Sequence, residues 1–168
     1  MSADEPKDGY TPGDVFHSRK QPVYAGSPGF AVVKKAERMA KVAYEAPHFN
    51  AGETGARRGA GREWATWVFS EEGEQAERLF STPFELMIDA RLEPFAAIGL
   101  HHHAHTEEVY YVLEGCLRMT VVDAQHGEHT EELGAGDAHM VKLGQGHYGQ
   151  ALETGARFIV VAVRRAGP

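Results

Sequence analysis

The sequence holds a single cysteine, Cys116, which excludes an intramolecular disulfide framework and points to a reducing compartment. No apolar run approaches the ~20 residues that cross a bilayer, and the opening Met1-Ser-Ala-Asp-Glu lacks the basic region of a secretory signal. These absences give the expectation of a soluble, cytoplasmic protein with no membrane partner. Basic residues are few and scattered. The chain sets 17 Lys and Arg against 24 Asp and Glu, for a formal charge of -7, and only Arg57-Arg58 and Arg164-Arg165 come in pairs. A nucleic-acid surface needs a clustered basic patch, so that class of partner is excluded. No glycine loop opens onto a helix to cradle phosphate, and Cys116 has no identifiable partners for nucleophilic catalysis. A length of 168 residues suits one domain with a real core rather than two.

Histidine is what the chain does have. Ten are present, four of them within Gly99-Leu-His-His-His-Ala-His-Thr-Glu-Glu-Val-Tyr-Tyr-Val-Leu-Glu-Gly115, where the cluster runs into an apolar strand pattern. On an extended segment side chains alternate, so His101, His103 and His105 project to one face and His102 to the other. Neutral imidazole is the commonest protein metal ligand, and Glu107 or Glu108 supplies the charge a divalent cation favours. A further imidazole is available at His147, in the glycine-punctuated stretch from Gly134.

Together the two stretches resemble the cupin family, whose first motif reads Gly-x5-His-x-His-x3 or x4-Glu-x6-Gly and whose second reads Gly-x5-Pro-x-Gly-x2-His-x3-Asn. Gly115 follows Glu108 at the motif spacing, which makes Glu108 the motif glutamate and His101 and His103 the paired histidines. Gly136, Gly144 and His147 fall at the positions of the second motif. Phe95, Lys142 and Ala151 stand where the family has glycine, proline and asparagine; none of these is a ligand position, so the departures bear on turn geometry. The resemblance implies an all-β fold, a single-domain double-stranded β-helix or jelly-roll barrel. It also implies one divalent transition metal (Fe, Mn, Ni, Co or Zn) held by His101, His103, Glu108 and His147. Three imidazoles and one carboxylate leave open positions on a six-coordinate ion. The activities implied are those of a metal-dependent enzyme on a small polar molecule, as oxygenase, lyase, isomerase or bond-forming catalyst, or of a non-catalytic binding module. Cupins commonly pair, which gives the expectation of a homodimer.

Along the chain, residues 1–28 are rich in Pro and Gly and read as an extended arm before a barrel spanning 29–168. Phe30–Val33 is a strand candidate, and Lys34–Tyr44 fits strand or helix. Residues 46–63 read as a glycine-rich loop that could cover a cavity mouth. From Trp64 onward short strand patterns alternate with turn signals: Trp64–Phe69, Phe84–Leu92 stopped by Pro94, Val109–Leu113 and Leu117–Asp123 around a tight Glu114-Gly115 turn, a second turn at Ala124–Glu128, then Ala138–Leu143, Tyr148–Leu152 and Arg157–Val163. Trp64 and Trp67 read as barrel core.

Substrate-contacting residues follow from position relative to the ligands. Tyr110 shares the face of Glu108 and is the candidate catalytic phenol, against the alternative of a core tyrosine bonded to backbone. Arg118, Tyr148 and Gln150 are the candidate substrate-binding residues, Arg118 through the fork a guanidinium offers a carboxylate. His105 is the competitor for a coordination position, while His126, His129 and His139 are expected to be exposed or to stand behind the ligands.

Overall fold

From Arg62 on, aromatic and β-branched residues alternate with polar ones, a pattern that suits half-buried strands. The computed structural model, which describes residues 11–12, 40–45, 52–70 and 80–165, is built almost wholly of strands. They are β1 (Thr11–Pro12), β2 (Ala40–Glu45), β3 (Arg62–Ser70), β4 (Phe84–Leu92), β5 (Ala97–His102), β6 (Thr106–Asp123), β7 (Gly127–Gly134), β8 (Ala138–Val141) and β9 (Gly146–Arg164), with one short helix, α1 (Gly55–Arg58). The expected all-β jelly-roll barrel is the fold observed. Among the described residues no helix is long and apolar enough to cross a membrane. The Phe30–Val33 strand candidate, and the extended arm apart from β1, lie outside the described residues.

Two long strands organise the barrel. The first half of β9 pairs with β5 and with the second half of β6, while its second half pairs with β4 and with the first half of β6. One leaf therefore runs β1-β2-β3-β4-β9-β6 with β8 on the far side of β6, and the other runs β5-β9-β6-β7. Every pairing except β1 with β2 is antiparallel.

The long strands correct the expected tight turn at Glu114-Gly115. β6 continues through it, and Tyr148–Leu152 and Arg157–Val163 are likewise one strand. Gly115 and Gly155 have φ of 74° and 71°, and a Cβ on Gly115 would fall 2.0 Å from the Gly155 carbonyl oxygen. The two glycines let paired strands bend together from one leaf into the other, where side chains would collide. β7 carries no apolar alternation, because Gly127-Glu-His-Thr-Glu-Glu exposes both its faces at a sheet edge.

The core lies between the leaves. Val112, Leu117, Met119, Ala151, Phe158 and Ala162 are fully buried, joined by Trp67, Ala65, Ala90 and Leu92 from β3 and β4. Trp67 is core as expected, whereas Trp64 is only half-buried, donating from Nε1 to Glu93 with the Arg62 guanidinium over its ring. Within the expected 46–63 loop, α1 packs on β5 so closely that a Cβ at Gly99 would lie 2.8 Å from the Arg58 carbonyl oxygen.

Candidate metal centre

The centre forms where the leaves face each other. His101 on β5 and His147 on β9 are directly paired across strands, so their rings share one face. His103 lies just past the end of β5, held by backbone hydrogen bonds from its N–H to Gln145 O and from Gly144 N–H to its own carbonyl. Glu108 enters from the opposing leaf on β6, on the buried side with Tyr110 and Val112. One donor atom from each of His101, His103, Glu108 and His147 lies within 4.8 Å of the others.

The separations are those of atoms facing a common point. Nε2 of His147 stands 2.8 Å from Nε2 of His101 and 3.1 Å from Nε2 of His103. Oε2 of Glu108 stands 3.3 Å from His103 Nε2 and 3.6 Å from His147 Nε2. Donors sharing one ion at about 2.1 Å stand roughly 3–3.5 Å apart, so the spacing fits a single transition metal. Ring orientation agrees. The Nδ1 of His101 donates to the Gly99 carbonyl at 2.8 Å, which leaves the Nε2 lone pair facing inward. His103 Nδ1 lies 3.2 Å from Thr106 Oγ1, a hydroxyl that can hold its tautomer the same way.

Among the described residues four buried side-chain atoms have no hydrogen-bond partner, and three lie at this cluster: Glu108 Oε2, His147 Nδ1 and His139 Nε2, the fourth being Trp67 Nε1. Such atoms are costly unless something satisfies them, and a cation between Glu108 and the imidazoles does so for the carboxylate.

Protonation is set for ligation. Burial, reinforced by the neighbouring histidines, holds His147 well below its ordinary value, and burial lowers His101 against the opposing pull of Glu108. Burial pushes the Glu108 carboxyl up, but the His103 and His101 imidazoles beside it outweigh that, leaving it below the usual carboxylate range. Ionised glutamate with neutral imidazoles is the state metal binding requires. Tyr110, its ring 5.2 Å from that of His147, is raised well above its ordinary value by burial and by Glu108, so it stays a protonated donor.

Arg118, Tyr148 and Gln150 face away from this centre. Arg118 is exposed and paired with Glu132 on β7, through bonds of 3.0 and 2.6 Å. Tyr148 follows His147 and so points to the opposite face, where its hydroxyl donates to Glu128 and the Arg57 guanidinium lies over its ring. Gln150 shares that parity and donates to the Phe95 carbonyl at 3.1 Å. The structure thus places these substrate-binding candidates in contacts away from the centre.

The remaining histidines separate cleanly. His105 is exposed, because the chain leaves the strand after His102 and the alternation stops with it. His102, paired with Gly146, packs on its far face. His126 and His129 are exposed beside Asp123 and Glu131. His139 is different. It is paired with Tyr110 across β8 and β6, and its ring lies parallel to that of His147 with centroids 5.9 Å apart. Burial lowers it to about 4. No sequence signal finds it, since the pairing that brings it to Tyr110 joins distant segments.

Comparison with known proteins agrees with this geometry. Residues 89–163 match the Cupin domain family model. Oxalate decarboxylase OxdC of Bacillus subtilis is 36% identical over 74 residues, which is 44% of this chain and 19% of that enzyme. The structure of Bacillus subtilis oxalate decarboxylase at pH 4.6 superposes with a TM-score of 0.51 at 30% identity, covering 61% of this chain and 25% of the other. Another structure of that enzyme, described for its Mn(II) centres, gives a TM-score of 0.51 at 29% identity over 63% and 26% of the two chains. The chain spans about a fifth to a quarter of the length of these relatives. Residues 89–163, somewhat under half of the chain, are thus similar to a cupin domain, and this segment carries a four-residue group able to hold a metal.

Proposed function

We propose that the protein is a metal-dependent enzyme acting on a small polar organic acid, by a lyase or redox reaction at the centre formed by His101, His103, Glu108 and His147. The observation that carries this reading is the convergence of three Nε2 atoms and one carboxylate oxygen from two opposed leaves on one buried point. A divalent ion there supplies a Lewis acid with positions open to oxygen donors. The chain's own residues do the rest. Glu108 keeps its charge beside the imidazoles, and Tyr110, its ring packed against that of the fully buried Phe158, offers a phenolic proton at the same inner face. Similarity to an oxalate decarboxylase supports an acid substrate and a lyase reaction, though the shared segment is a fraction of that enzyme.

The test loads the protein in turn with Mn(II), Fe(II), Co(II), Ni(II) and Zn(II). Each form is then screened against small mono- and dicarboxylic acids, oxalate included, for carbon dioxide release and dioxygen consumption. Turnover that vanishes in Glu108→Ala is the expected result; full metal loading with acid binding and no turnover would make the protein a binding module instead. The homodimer is likewise a proposal. Tyr111, Met140 and Val163 are exposed on the outer face of the β9-β6-β8 leaf, the face a second copy would cover. A monomer mass in sedimentation would remove it.

A further inference from the structure

We propose that His139 is a substrate-orienting residue, forming with Tyr110 a polar wall beside the metal centre that takes an oxygen of the bound acid. The inference rests on the small-acid reading above and adds a residue that no cupin motif position assigns. Direct pairing of Tyr110 with His139 places both side chains on the inner face of the leaf, one step along from the Glu108–Val141 pair. The two rings meet edge to face with centroids 6.3 Å apart, and the His139 ring lies parallel to the His147 ring from the other leaf at 5.9 Å. His139 therefore borders the centre without belonging to the four residues that converge on it.

What remains is its Nε2, buried and without a partner. A structural histidine on a sheet spends its ring nitrogens on backbone or neighbouring side chains, as His101 does on Gly99. A neutral imidazole nitrogen can donate to a carboxylate or accept from a hydroxyl, so it suits the oxygen-rich small molecules the reading calls for. Tyr110, buried on the adjacent strand and facing the same side, complements it with a phenolic hydroxyl.

The test uses zinc-loaded full-length protein and titrates glycolate, malonate and acetate by calorimetry, comparing wild type with His139→Leu and His139→Gln. Zinc content is measured for each. Wild type is expected to bind at least one acid; His139→Leu should keep its zinc and lose about tenfold to a hundredfold in acid affinity, with His139→Gln recovering most of the loss. The nitrogen resonance of His139 Nε2 should also shift on saturation with the acid. Unchanged affinity in His139→Leu overturns the role of His139 alone. Loss of zinc in that variant overturns it by making His139 part of the metal cluster, and a Gln variant as weak as Leu overturns it by reducing the residue to packing. If wild type binds none of the acids, the small-acid reading falls and this inference falls with it.

Discussion

Nδ1 of His101 lies 2.8 Å from the carbonyl oxygen of Gly99, two residues back on the same strand. A carbonyl can only accept, so the proton sits on Nδ1 and the lone pair of Nε2 faces His147 and Glu108. In metal-free protein above pH 7, two-dimensional ¹H–¹⁵N spectroscopy should show His101 in the Nδ1–H form. The Nε2–H form, which is ordinarily favoured in free imidazole side chains, would contradict the preset orientation.

Acid should unfold the metal-free protein earlier than its carboxylates alone would require. His101, His139 and His147 are all held below 6.5 by burial. Between their folded values and 6.5 the unfolded chain binds protons that the folded chain refuses, so stability is full above about 6.5 and declines as pH falls below it. Glu108, depressed from 4.5, adds a second decline below that value. Urea unfolding at pH 7.5, 6.5 and 5.5 should give a falling midpoint, with a shallower slope in His139→Leu. A flat profile over this range would contradict the burial of neutral histidines.

Phe95 occupies a backbone conformation suited to glycine. Its φ is 61°, it follows Pro94, and Ala96 N–H bonds to the Glu93 carbonyl at 3.0 Å, the pattern of a turn whose third residue favours glycine. The side chain is 57% exposed, so it gains little packing in return. Phe95→Gly should raise stability by about 0.5–1 kcal/mol in chemical denaturation, the left-handed strain relieved less the extra chain entropy. A loss of stability would show that the exposed ring contributes more than the strain costs.

Arg118 lies outside the barrel with Glu132, and an exposed ion pair of this kind contributes little. Arg118→Ala should leave metal loading and acid affinity unchanged and alter stability by no more than about 0.5 kcal/mol. A drop in acid affinity would return Arg118 to the substrate-binding set.

The candidate metal-binding group was legible because fixed spacing marks it: His101, His103, Glu108 and His147 stand at motif positions, and their donor atoms lie together in the structure. Strand limits were legible in β4, an apolar run with Pro94 just beyond its end, and not in the polar β7. Arg118, whose face the sequence left open between cavity and solvent, is exposed for a geometric reason. Counting in twos from Glu108 puts residue 118 on the inner face, but register shifts between Val112 and Leu117 reverse the parity, so Leu117 and Met119 point inward instead. Tyr148 and Gln150 are the opposite case, since parity from the inward His147 already turns them away. His139 could not be found from spacing at all, because its meaning comes from pairing with Tyr110 on a distant segment.

The most direct test is the metal content of the purified chain after loading with Mn(II) or Zn(II) and exhaustive dialysis, compared across Glu108→Ala, His147→Ala and His105→Ala. One ion per chain in wild type and in His105→Ala, with retention lost in the other two, is the predicted result. Equal retention in all four proteins, or none in wild type, would contradict a shared centre at His101, His103, Glu108 and His147.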